Sequence, residues 1–169
     1  MPSLQTRLCR SLDIETPIVQ ASIDQATNSA MAAAVSNASG LSKLTFLRRN
    51  ADEVRRLISE TRELTDRPFS ANFILQGLDD ARERIDVCLE TGVGVVSFHW
   101  HEPGEYIDRV HAVDTLVMYT VASAEEAWQA VDSEVDIIVA QGWESGGHVR
   151  GDVVTMALLP RIVVAGQFR

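Results

Sequence analysis

The stretch Val135-Asp-Ile-Ile-Val-Ala-Gln-Gly-Trp-Glu-Ser-Gly-Gly-His-Val-Arg-Gly151 decides how the rest of the chain is read. Its first part, Val135 to Ala140, is an apolar run of strand length and reads as a buried strand. The part from Ala140 to Gly151 holds four glycines and one histidine. Glycine lets the backbone take positive φ and lets a ligand come close to main-chain N–H groups. A strand that ends in such a loop presents polar groups at its carboxyl end, where α/β folds place their active sites. His148 is the group in this loop best able to move a proton near neutral pH. From spacing alone the alternative is a glycine-rich surface loop with a solvated histidine, because no general chemical motif ends in Gly-Gly-His.

Outward from this loop, strand-like and helix-like segments alternate. The expected strands are Pro17–Ala21, Leu44–Leu47, Phe69–Leu75, Val93–His99, Thr115–Tyr119 and Val135–Ala140. A helix from about Ala30 to Ala38 is closed by Gly40. Asn50 caps the next, with Glu53 placed to reach back, and Val54, Leu57, Ile58 and Leu64 form its apolar face. Asp79 or Asp80 starts a helix with Ile85, Cys88 and Leu89 inward, and Pro103 opens one through about Ala112. Ser123-Ala-Glu-Glu126 is a capping box for a helix to about Val131, and Thr155–Val164 reads as a helix interrupted by Pro160. Strands rich in Val and Ile, each followed by a helix, imply parallel βα units. A complete (β/α)₈ barrel needs about 250 residues, so this length holds five or six units, and periodicity alone also permits a doubly wound sheet.

Composition narrows the class. The 169 residues are 46% hydrophobic and 23% charged, as in ordinary globular domains. A net charge of −9 argues against a nucleic-acid partner, which needs a basic surface. No apolar run reaches the roughly 18 residues of a membrane span, and the first ten residues lack the apolar core of a secretory signal. Cys9 and Cys88 have no metal or redox spacing, and Cys88 reads as a buried thiol, which fits a reducing cytoplasm. His99 and His101 flank Trp100, but alternate strand residues point to opposite faces and no third ligand is evident, so no metal site is expected. His111, between Val110 and Val113, reads as structural.

Gln141-Gly-x-Glu144-x-Gly-Gly-His148 resembles the signature of the nitronate monooxygenases, FMN enzymes of the TIM-barrel class. Four further segments are similar to that family in the same order: Thr16-Pro-Ile-Val-Gln-Ala21, Ala32-Ala-Ala-Val-Ser-Asn-Ala38, Arg67-Pro-Phe-Ser-Ala-Asn-Phe73 and Val95-Val-Ser-Phe-His-Trp100. The resemblance implies an incomplete TIM barrel, about six of eight βα units, as a single partial domain over residues 1–169 that lacks the last two units. It implies FMN as cofactor, with Asn72, Gln141, Gly146 and Gly147 on the flavin ring. His148 then matches the active-site histidine, taking the α-proton of a nitroalkane or holding a nitronate anion, with dioxygen as co-substrate. His99 matches a histidine of the pocket floor, and Trp100 and Trp143 either wall the flavin or belong to the core.

The sequence departs from the family pattern at several loops. Ser39 replaces the first glycine of a Gly-Gly-Leu pattern, Ser42-Lys43 replaces a Gly-Thr-like pair, Ala21-Ser22-Ile23 replaces Ala-Pro-Met, His101 and Asp114 stand where relatives usually carry glycine, and Tyr119 stands for a histidine. After Val163 the pattern stops, before the units that carry the family's phosphate loop, so weak FMN retention is expected. Two other readings remain open: a flavin-dependent enoyl-acyl-carrier-protein reductase, which has a similar Gly-Gly-His loop, and a non-catalytic fragment whose open barrel edges favour self-association.

Overall fold

β1 (Ser42–Thr45) lies parallel to β2 (Phe69–Ile74), with Lys43 opposite Ser70 and Thr45 opposite Asn72. This computed structural model describes residues 4–77 and 80–167. A five-stranded sheet has the sequential order β1-β2-β3-β4-β5, where β3 is Val95–His99, β4 is Leu116–Val121 and β5 is Ile137–Ala140. Helices alternate with the strands after a short α1 (Arg7–Leu12): α2 (Ser29–Asn37), α3 (Ala51–Arg62), α4 (Arg82–Glu90), α5 (Glu105–His111), α6 (Ala124–Asp132) and α7 (Thr155–Gln167). This is the expected parallel α/β architecture.

The chain forms two compact units, residues 1–73 with 78–96, and residues 74–77 with 97–169. In the first, Leu44, Phe46, Phe69, Ala71 and Phe73 are fully buried, with the Phe46 and Phe73 rings 5.7 Å apart. Ser36 of α2 bonds to Ser42, which places Ser42 on the helix-covered face. Strand alternation puts Lys43 and Thr45 on the other face, and the register adds Ser70 and Asn72 to it. All four are buried, so one face of this strand pair is polar and the other, apart from Ser42, apolar. In the second unit β4 pairs with β5, Thr120 opposite Val139, and α7 buries Leu158 and Ile162 while Met156, Leu159 and Val163 remain exposed.

Several local expectations are corrected. Pro17–Ala21 is no full strand: it makes one parallel bridge, Val19 to Leu41, and Ile18 is 61% exposed. β5 is half-buried along its length rather than buried, since it is the last strand in the order and pairs with β4 alone. The left-handed residue that ends α2 is Ser39 (φ 67°), not Gly40. α7 runs through Pro160 without interruption, forgoing one backbone hydrogen bond. The capping box of Asn50 and Glu53 has both arms, each 2.9 Å. That of Ser123 has one, Glu126 N–H to Ser123 Oγ at 3.1 Å. The expected helix start at Asp79 lies outside the described residues, as do Leu78, Phe168 and Arg169. Among the described residues no helix is long and apolar enough to cross a membrane.

Candidate active site

The loop after β5 is pinned at both ends and open in the middle. At its start, Gln141 N–H donates to Val121 O at 2.9 Å, continuing the β4–β5 ladder. Trp143 N–H donates to Val153 O at 2.9 Å, and Ser145 N–H to Gly142 O at 3.1 Å. Glu144 accepts from Thr155 N–H at 2.8 Å, which caps α7. The backbone N–H groups of Glu144 itself and of Thr155 hold its carboxyl below the usual range. Gly142 is packed so tightly that a Cβ there would overlap both Thr155 and Glu144.

At the far end Arg150 forms an ion pair with Glu126 of α6, and Glu126 also accepts from Ala122 N–H at 2.8 Å. Burial alone would lower the Arg150 pKa, but the bond to Glu126 outweighs it and raises it. Burial raises the pKa of Tyr119, on β4, and Arg150 partly offsets this. Glu126, expected only as a capping residue, therefore ties the end of the loop to α6. No sequence pattern marks that pairing.

Between these anchors lie Gly146, Gly147 and His148, all exposed. Nothing stands within 4 Å of a Cβ built on Gly146 or Gly147, and Gly147 has φ +80°. Gln141 Nε2 donates to the carbonyl of His148 at 3.1 Å, so the structure brings those two expected site residues together. The imidazole of His148 meets Trp100 in an edge-on contact, centroids 5.5 Å apart. Trp100 in turn stacks on His99, centroids 5.6 Å apart. Trp100 and His101 both have left-handed φ, 57° and 54°, a strained pair immediately after β3. Trp100 Nε1 and Ser145 Oγ are buried with no partner among the described residues. Trp143 is 56% exposed and so is not core.

Asn72 belongs to the first unit. It is buried near the carboxyl end of β2, and its carbonyl accepts from Phe46 N–H at 3.1 Å. On the same strand face Thr45 Oγ1 is buried without a partner among the described residues, and burial lowers the Lys43 pKa to about 8. In the sequence Lys43 stands out only as part of the Ser42-Lys43 pair that replaces a Gly-Thr-like pair. His111, read as structural, binds Asp136 at 2.9 Å, and Asp136 also accepts from Val117 N–H at 2.7 Å. Burial pushes the Cys88 thiol up, away from the reactive thiolate. Among the described residues no group of three or more His, Cys, Asp or Glu could hold a metal ion.

Parallel βα units with a Gly-Gly-His loop at the carboxyl end of a strand define an incomplete TIM barrel of the kind that binds ligands through its βα loops. Over residues 5–83 and 75–167 the chain matches the model of the nitronate monooxygenase family, and it belongs to that family. It is 32% identical to the (3aS,4S,5R,7aS)-5-hydroxy-7a-methyl-1-oxo-octahydro-1H-indene-4-carboxyl-CoA dehydrogenase of Rhodococcus jostii, over 98% of this chain and 46% of that one. It is 31% identical to the nitronate monooxygenase of Pseudomonas aeruginosa, over 95% of this chain and 59% of that one. FabK from Thermotoga maritima superposes with a TM-score of 0.92 at 36% identity, over 96% of this chain and 52% of that one. The chain thus spans about half the length of the relatives it matches.

Proposed function

We propose that the chain carries the flavin-ring side of an FMN-dependent oxidoreductase that oxidises alkyl nitronates or nitroalkanes with dioxygen. The observation that carries this reading is the loop after β5, rigid at both anchors and open at Gly146 and Gly147, with His148 at its tip. The residues present fit a flavin. An isoalloxazine edge offers alternating donors and acceptors, and orphaned buried polar atoms occur beside the loop at Trp100 Nε1 and Ser145 Oγ. Asn72, Gln141 and the backbone of Gly146 and Gly147 would hold the ring. Bound FMN would supply electron transfer between the substrate and dioxygen.

The chain's own residues supply the rest. His148 accepts the α-proton of a nitroalkane, or holds the anion of a preformed nitronate. Gln141 fixes the backbone of His148 through its carbonyl. Trp100 limits the imidazole's rotation by edge-on packing. Gly146 and Gly147 leave space for a flat ligand beside the histidine.

The similarity to the Rhodococcus jostii carboxyl-CoA dehydrogenase favours a second reading, an oxidoreductase acting on an acyl thioester. Self-association belongs with either reading, because α7 exposes Met156, Leu159 and Val163.

The test is a titration of the chain with FMN, followed by tryptophan fluorescence, beside a Gly146→Val control. Saturable quenching that the control loses supports the flavin site. Equal response of the two proteins removes it. Turnover of nitronates against acyl thioesters by a flavin-loaded sample separates the two substrate classes.

A further inference from the structure

Outside the flavin loop, a pocket of about 390 Å³ lies where β1 runs into α3, lined by Arg48, Arg49, Asn50, Ala51, Asp80, Glu83 and Arg84. We propose that this pocket is a second ligand site, built to take a phosphate or diphosphate group. The inference goes beyond the flavin reading and does not depend on it.

Three arginines line one cavity in a chain whose net charge is −9. None of them is paired with a carboxylate among the described residues. Arg49 Nε donates to the backbone carbonyl of Thr45 at 3.4 Å, and Arg84 donates to the backbone carbonyl of Asp80. Arg48 is exposed and has no partner among the described residues. Those backbone bonds orient two of the three side chains without using a carboxylate. Like charges around one cavity repel each other, and a multivalent anion relieves that repulsion while matching the planar guanidinium donors.

Two carboxylates also line the pocket, and they set the balance. Asp80 is held by Arg82, which approaches its Oδ2 at 3.1 Å and takes Oδ1 through its backbone N–H at 2.8 Å. Among the described residues Glu83 is therefore the one lining carboxylate that would oppose an anion. The start of α3 is closed by its own Asn50–Glu53 capping box, so the arginines rather than the helix terminus make the site. The lining Arg and Glu side chains come from two segments of a single compact unit, residues 48–51 and 80–84. A pocket of this size lies within the ordinary range for small ligands.

The probe is inorganic pyrophosphate, titrated calorimetrically into the full chain at low ionic strength, with folding of each variant checked by circular dichroism. Saturable binding at one site is expected, weakened about tenfold or more by Arg48→Ala. Glu83→Gln should tighten it several-fold, and added salt should weaken it. Arg55→Ala, which removes an exposed arginine paired with Glu90 outside the pocket, should leave it unchanged. Coenzyme A added as competitor separates the sources. Displacement of pyrophosphate assigns the site to a diphosphate ester, and no displacement assigns it to a free anion. Absence of saturable binding, or an equal loss in Arg55→Ala, overturns the site. A sample that takes up FMN but not pyrophosphate overturns this inference alone, and the reverse result overturns the flavin reading alone.

Discussion

The rings of Trp100 and His148 stand at 85° to one another with centroids 5.5 Å apart, an edge-on contact between the residue after β3 and the tip of the loop after β5. The backbone at Trp100 is left-handed, and its indole N–H has no partner among the described residues. A strained backbone that presents a buried donor beside a histidine is an arrangement that ordinary packing does not require.

If His148 is the proton acceptor, its loss must affect substrates according to whether they still carry the proton. In a flavin-loaded sample, His148→Ala is expected to slow neutral nitroalkanes by about 10²–10⁴-fold, the range for removing a general base. Preformed nitronates should slow much less. Trp100→Leu should reproduce part of the nitroalkane defect while His148 remains in place, because the imidazole then loses its edge-on support. Steady-state rates on both substrates decide the point, and equal small losses on both would remove the base role.

Backbone strain provides a second test. Ser39, His101 and Asp114 have φ of 67°, 54° and 55°. Each stands where the resembling family usually has glycine. A left-handed conformation costs an L-residue about 1–2 kcal/mol, while glycine loses roughly 0.5–1 kcal/mol more entropy on folding. Glycine at Ser39 or His101 should therefore stabilise by about 0.5–1 kcal/mol, and at Asp114 by less, since aspartate tolerates this region. Urea midpoints should rise with unchanged slope. A fall in midpoint for His101→Gly would mean that its side chain makes a compensating contact.

These three positions also mark how far the sequence could be read. Departures from a glycine pattern were visible as letters, but their common cause, a left-handed backbone, required coordinates. The alternation of strands and helices was legible because Val and Ile runs and capping residues such as Asn50 are local signals. The loss of the Pro17–Ala21 strand was not, since pairing depends on a partner distant in sequence. The same limit hid the ion pair of Arg150 with Glu126, whose residues are separated by a strand and a loop. Within the candidate site, Gln141 and His148 were legible as a motif, whereas their mutual hydrogen bond and the contact with Trp100 are tertiary facts.

Lys43 yields a prediction about pH. Burial lowers its pKa from 10.5 to about 8, so the folded state releases the proton before the unfolded state does. Between pH 8 and 10.5 the unfolded chain binds more protons, and stability should rise with pH across that window. The difference of 10.5 − 8 = 2.5 corresponds to roughly 3 kcal/mol at most. Lys43→Met, which keeps the aliphatic stem, should raise stability at neutral pH by up to about that amount and flatten the rise. Denaturant titrations at several pH values test this. A variant that is less stable at neutral pH would show that the ammonium is held by more than its burial costs.

The glycines of the loop after β5 separate scaffold from site. Gly142 is buried, and a Cβ on it would overlap Thr155 Oγ1, Thr155 N and Glu144 Oε2. Two of these atoms are backbone or tightly bonded, so they cannot swing aside, and the bond by which Glu144 caps α7 would have to break. Gly142→Ala should thus destabilise by about 1–3 kcal/mol, the usual cost of overpacking. Gly146 is different, because nothing lies within 4 Å of its added Cβ and its φ is not left-handed. Gly146→Ala should leave the urea midpoint within about 0.5 kcal/mol of the parent. Gly147→Ala has the same open space but carries φ +80°, so it should cost about 1 kcal/mol from backbone strain alone. Flavin binding should follow another order. Gly146→Ala should weaken FMN although folding is intact, because the added methyl occupies space that a flat ring would use. Gly142→Ala should weaken FMN only in proportion to its loss of folded protein. Paired urea and FMN titrations of the three variants distinguish these patterns, and a Gly146→Ala protein that binds FMN as the parent does would remove this glycine from the flavin site.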